Sequence, residues 1–281
     1  MEETKEVNQD LPGIKVLLMG ASGTGKTFSL GTLVDSGLEV YYLGLEQGLE
    51  SLLGYWRDKN LPVPENLRWH VMAKKKNGLS GLKKLYTDAG KLSYGSLCKM
   101  QDTDRAQNNP LLAILEMMMS FEDQRTGKNM GDLSEKGSYT ALAIDGLSGF
   151  TQAAMDMNAG KTLTRDQATF GIAQTSFISY LDEIVTWPIH VILLAQVMRE
   201  LDEIQGGLTL FPDTSILGKK LTGTLNQKFS DVILTERKGT KFSWNTASAR
   251  ADTKTRNLEL KESLDPSFKP MIARWKNRQK V

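Results

Sequence analysis

The segment Ile-Lys-Val-Leu-Leu-Met-Gly-Ala-Ser-Gly-Thr-Gly-Lys-Thr, residues 14–27, constrains this chain more tightly than any other. A short apolar run of strand length passes straight into a glycine-rich turn, and helical periodicity follows it. Gly20, Gly25, Lys26 and Thr27 meet the spacing G-x-x-x-x-G-K-[ST] in that strand-to-helix context. Glycines let the backbone wrap an anion without interference from Cβ, so successive N–H groups and the helix N-terminus face a β-phosphate. Lys26 then reaches the β- and γ-phosphates, and Thr27 offers its hydroxyl to Mg²⁺, whose other positions go to phosphate oxygens and water. The expected contact set for Mg-ATP is Gly20, Ala21, Ser22, Gly23, Thr24, Gly25, Lys26, Thr27 and Phe28. A loop that binds nucleotide without hydrolysing it is the alternative.

Five further apolar runs, Val40–Leu45, Leu67–Met72, Ala141–Ile144, Val191–Ala195 and Val232–Thr235, alternate with stretches of helical spacing. Continuous apolar strands separated by helices predict a mostly parallel sheet covered on both faces, an α/β core. After Thr235, the alternation in KFSWNT and the apolar MIARW predict antiparallel strands completing the C-terminal edge. The reading is one domain over 1–281 with a core of about 12–275. A mainly helical insertion at about 74–136 holds the helical NPLLAILEMMMSF and the loop-like EDQRTGKNMGDLSEKG.

Composition narrows the function. Lys plus Arg number 35 against 33 Asp plus Glu, so no polyanion partner is advertised across the whole surface and nucleic-acid contact must be local. One cysteine, Cys98, and two histidines argue against an internal disulfide or a structural metal site. The polar, acidic MEETKEVNQDLPG lacks the pattern of a signal peptide, and no apolar stretch approaches the roughly 18 residues of a membrane helix. A cytoplasmic protein that does not enter the membrane is expected.

TALAIDG ends a buried strand with Asp145, a candidate for the magnesium-side acid acting through a water, on a strand expected to neighbour that of the phosphate loop. Gly146 follows it, so a tandem Asp-Glu is absent and the base for hydrolysis must come from elsewhere. Glu46, closing EVYYLGLEQG one strand over, is the candidate for orienting the attacking water, against the reading of an ordinary solvated or helix-capping glutamate. Gln196, with Arg199 beyond it, ends HVILLAQVMRE where an amide could touch a γ-phosphate, or stand as a simple strand-end polar residue.

The ordered set of phosphate loop at 20–27, strand-end Glu46, Asp145 without a following glutamate and strand-end Gln196 resembles the RecA-like recombinases and hexameric helicases. The segment ILGKKLTGTLNQKFSDVILTER is similar to the small phage-encoded RecA-like ATPases associated with single-strand annealing recombination. The resemblance implies a RecA-like fold, water activation by Glu46, γ-phosphate sensing by Gln196, and DNA-facing loops at Leu147–Gln167 and Val197–Leu217. Arg199, Gly206 and Gly207 lie in the second loop. ADTKTRNLEL resembles the element by which related helicases insert cations into a neighbour's ATP site, making Lys254 and Arg256 candidate trans-acting fingers or a solvated loop. It further implies a ring or filament of copies, single-stranded DNA as ligand, an associated single-strand binding or annealing protein, and a bacterial host cytoplasm if the chain is phage-encoded.

Local basic patches at Lys74–Lys76, Lys83, Lys84, Lys219 and Lys220 are more simply solvated surface than DNA contacts, and the five tryptophans and Met117–Met119 more simply packing. Three functions follow: a DNA-dependent ATPase of recombination or replication, a nucleotide-switched adaptor using the insertion as its interface, and a motor subunit for unwinding or packaging.

Overall fold

The computed structural model describes residues 11–72, 109–159, 167–202, 207–218 and 221–279, with Leu79, Lys83 and Thr87. Lys74–Lys76, Lys84, Cys98, Gly206, Lys219 and Lys220 lie outside the described residues. In chain order the strands are β1 (Lys15–Gly20), β2 (Glu39–Gly44), β3 (Leu67–Val71), β4 (Glu122–Asp123), β5 (Lys128–Asn129), β6 (Thr140–Asp145), β7 (His190–Ala195), β8 (Val197–Asp202), β9 (Gly207–Pro212), β10 (Asp231–Lys238) and β11 (Lys241–Asn245). The helices are α1 (Lys26–Val34), α2 (Leu49–Arg57), α3 (Pro110–Met119), α4 (Leu147–Ala159), α5 (Gln167–Thr186), α6 (Leu221–Lys228) and α7 (Lys269–Arg278).

Seven strands form the central sheet in the order β11-β10-β1-β7-β6-β2-β3; all pairings are parallel except that of β11 with β10. Strands β1, β2, β6 and β7 are buried along nearly their whole length because helices cover both faces, whereas the edge strand β3 is half-buried and carries Arg68 and His70. In β1, Val16 and Leu18 join the cluster under α1, α2 and α7, whereas Leu17 and Met19 join the cluster under α3, α4, α5 and α6. From β1 the chain runs outward to β2 and β3, and from β7 it passes β1 to reach β10. The connections after β1 and β7 therefore leave on opposite faces, opening a crevice at the carboxyl ends of these neighbours.

Two expectations about sheet position are corrected. Asp145 is not on a strand beside β1, since β7 lies between β6 and β1, and β2, which leads to Glu46, is three places from β1. Strand order is set by where the crossovers land, and local sequence does not encode it.

The MIARW segment is also corrected: it lies in α7, not in a strand. Met271, Ile272 and Trp275 are buried at helical spacing, Pro270 sits in the first turn, and Lys276 and Arg278 occupy the last. The loop-like stretch 122–137 contains the small β4–β5 hairpin, folded around the buried Asp123, whose carboxylate accepts from Thr126 Oγ1 (2.7 Å) and Arg125 N (3.1 Å). Likewise Leu147–Ala159, expected within a DNA-facing loop, is helix, with Leu147, Phe150, Ala154 and Met155 buried.

Helix α1, which begins in the phosphate loop, is fixed from behind by α2. Gly31 lies so close to Tyr55 that a Cβ there would fall 2.2 Å from the ring. Gly31→Ala should therefore cost about 1–3 kcal/mol through overpacking and lower the thermal midpoint. An unchanged midpoint would show that α2 yields freely.

Candidate functional site

A cleft of about 670 Å³ opens at the carboxyl ends of β1, β7 and β6. It is lined by the loop residues Ser22–Thr27 together with Phe28, Glu46, Asp145 and Gln196, so separate sequence segments meet at one place. The loop holds its shape through close approaches. A Cβ on Gly20 would fall 2.0 Å from Thr235 Oγ1, while Gly23 and Gly25 take φ of +73° and +83°, the left-handed region that glycine enters without cost. Thr24 Oγ1 and Thr235 Oγ1 are 2.6 Å apart, tying the loop to β10.

Lys26 is part-buried, and its Nζ donates to the carbonyls of Gly20 (2.7 Å) and Ala21 (2.8 Å). Burial lowers its pKa to about 8, against the opposing pull of Asp145 and Glu46. An ammonium held under strain of desolvation gains much from an arriving anion.

Asp145 is buried at the end of β6, and one oxygen, Oδ2, accepts from Thr27 Oγ1 (2.9 Å) and Tyr42 Oη (2.8 Å). Burial raises the Asp145 pKa; the two hydrogen bonds oppose that rise and the nearby Glu46 charge adds to it. A Cβ on Gly48 would lie 2.2 Å from the same oxygen, so only glycine lets the start of α2 pass there. Because Thr27 donates its proton to Asp145, its lone pairs are left for a cation. A hydroxyl backed by a buried carboxylate is a donor set that suits magnesium, which prefers few protein ligands and retains waters.

Glu46 stands just beyond β2, with Oε1 accepting from Ser148 Oγ and from Gly149 N (3.2 Å) in the first turn of α4. Its carboxylate thus caps that helix while lining the cleft that contains Lys26. The solvated-or-capping alternative and the cleft position are therefore both features of the same residue.

Gln196 is exposed at the end of β7, and its carbonyl accepts from Asp213 N (2.8 Å), closing the base of the β8–β9 hairpin. Arg199 and Gly207 are exposed on that hairpin. Lys254 and Arg256 do not join the cleft. Lys254 pairs with Val232 near the amino end of β10, and Arg256 N donates to the buried Asp231 (2.9 Å).

Three contributors escaped the sequence reading: Tyr42, Ser148 and Phe242, the last pressed against Gly25. Tyr42 carried a usable signal, since a tyrosine inside a continuous buried strand needs a partner for its hydroxyl.

No protein-family model matches the chain, and no curated protein matches it in sequence. Some solved structures are distantly similar to it. The flagellar accessory protein FlaH from Methanocaldococcus jannaschii is 11% identical, covering 83% of this chain and 77% of its own, with a TM-score of 0.37. The RadB recombinase is 14% identical over 85% and 84%, with a TM-score of 0.39. A KaiC-like protein from Pyrococcus horikoshii OT3 is 14% identical over 90% and 84%, with a TM-score of 0.38. Likeness this remote leaves the chemistry to the geometry of the site itself.

Lys26 and Lys15, the latter also lowered by burial, should titrate near pH 8 in a ¹³Cε-lysine NMR spectrum, well below exposed lysines, and Lys26→Arg should remove one of the two signals. Since the folded values lie below the unfolded one, the unfolded chain binds more protons between about pH 8 and the ordinary lysine value of 10.5, and stability should rise across that window. Midpoints above 10 for both lysines would contradict the burial.

Proposed function

We propose that the chain binds Mg-ATP on residues 20–27 and hydrolyses it, as the RecA-like ATPases that its motif order resembles do. One observation supports this above the others: Lys26, the Thr27–Asp145 pair and Glu46 line a single cleft beyond the carboxyl ends of a parallel sheet.

Loop N–H groups and the Lys26 ammonium would grip the β- and γ-phosphates. Thr27 would turn its lone pairs to the metal, with Asp145 behind it as acceptor for a metal-bound water. Magnesium, when bound, would offset the charge developing on the phosphate oxygens. Glu46, with Oε1 fixed by Ser148 and Gly149, would use Oε2 to orient a water and take its proton as the water attacks the γ-phosphorus. The bond to the β,γ-bridging oxygen breaks in line, leaving ADP and phosphate. Gln196 would donate its amide to the γ-phosphate and couple that contact to the hairpin it closes.

In the finer reading, also ours, the partner is single-stranded DNA in phage recombination or replication. The exposed Arg199 and Gly207 on β8–β9 would face it, and copies would assemble so that Lys254 and Arg256 reach a neighbour's cleft. Their distance from their own cleft suits a role in trans.

Lys26→Ala should weaken ATP binding about 10- to 100-fold, the worth of charge-assisted hydrogen bonds. Glu46→Gln should retain binding within about threefold while lowering kcat about 10²- to 10⁴-fold; vigorous hydrolysis by that variant would remove Glu46 from the base role. Single-stranded DNA should accelerate hydrolysis, with an apparent affinity that falls as salt rises. A rate indifferent to DNA at every salt concentration would favour the adaptor reading.

A further inference from the structure

The cleft has a side that phosphate chemistry does not use. Phe242 and Pro266 line it, and neither side chain carries a donor or an acceptor. Phe242 stands on β11 directly opposite Arg237 of β10. The Arg237 guanidinium carbon is 5.4 Å from the ring centroid, and its Nε donates to Gly239 O at 2.7 Å, so the cation is held against the ring.

The hairpin beneath is stiff. Its two-residue turn, Gly239–Thr240, has Gly239 at φ +62°, matching the twist of paired strands. Two residues along the same face, Trp244 is buried edge-on against Phe268 at 4.8 Å, and Thr235 meets Thr24. The edge of the phenyl ring rests on the phosphate loop, where a Cβ on Gly25 would lie 3.2 Å from Cδ1. Yet the residue remains 37% exposed. A rigid, part-open aromatic ring thus sits within a ribose's reach of the phosphate-binding backbone.

Two threonine hydroxyls that line the cleft beside the loop and α1 are engaged by the protein itself. Thr24 bonds to Ala21 O and Thr235, while Thr32 donates to Ser29 O and accepts from Phe268 N. A nucleobase there would be gripped by its π-face, which every base presents, and not by its edge. We propose that Phe242 is the nucleobase platform of this cleft, and that the site takes purine nucleoside triphosphates by stacking, with little distinction between adenine and guanine. This rests on the phosphate-loop reading above.

The test compares dissociation constants for ATP, GTP and inorganic tripolyphosphate, with magnesium, in the wild type and in Phe242→Leu and Phe242→Trp. Expected are ATP and GTP affinities within about threefold of each other, both weakened about tenfold or more by Phe242→Leu and retained by Phe242→Trp. Tripolyphosphate binding should be unchanged in both variants. Leucine keeps apolar contact with Gly25, so loss of tripolyphosphate binding as well would assign Phe242 to propping the loop and overturn the proposal. It is equally overturned by an ATP preference above about 20-fold, or by unchanged nucleotide affinity in Phe242→Leu. Failure of the wild type to bind tripolyphosphate at all, or binding indifferent to Lys26→Ala, would instead bring down the phosphate-loop reading and the platform with it.

Discussion

One buried carboxylate oxygen holds this site together. Asp145 Oδ2 receives hydrogen bonds from Thr27, which opens the phosphate-loop helix, and from Tyr42, within the strand that leads to Glu46. The chain at Gly48 passes so closely that no side chain fits. Three segments distant in sequence are thereby fixed around one acceptor. An unpaired carboxylate at that depth would be costly, so the two donors stabilise the charge and also set the distance between β6, α1 and β2.

The same economy of contacts recurs on the other flank of the loop. Thr235 on β10 presses on Gly20 and bonds to Thr24, while Phe242 on β11 leans on Gly25. The antiparallel edge is therefore part of the nucleotide cleft's wall as well as the end of the sheet. Glu46 shows the corresponding economy at α4, since the contact that caps the helix also fixes the carboxylate in the cleft.

Much of this was legible in the sequence where the determinant is local. All six runs are parallel strands, because a short segment rich in apolar residues and bounded by turns has few other uses. The phosphate loop was legible because its spacing encodes a backbone shape. Strand order was not, for adjacency depends on long-range crossovers; hence Asp145 and Glu46 were assigned to the wrong neighbours though to the right end of their strands. MIARW misled because five apolar-rich residues fit either period, and the surrounding Pro270, Lys276 and Arg278 were the better guide. Leu147–Ala159 reads as loop only through the resemblance, whereas Leu147, Phe150 and Ala154 spell a helical face. Phe242 read only as strand alternation, since nothing local shows that its ring meets a loop more than two hundred residues earlier.

The most direct measurement of the central claim is a crystal structure with magnesium and a non-hydrolysable ATP analogue. The triphosphate should lie between the loop backbone and Lys26 Nζ, the metal on Thr27 Oγ1 with Asp145 behind it, and Glu46 one water away from the γ-phosphorus. A nucleotide bound elsewhere, or a Glu46 carboxylate turned from the terminal phosphate with no water between them, would contradict it.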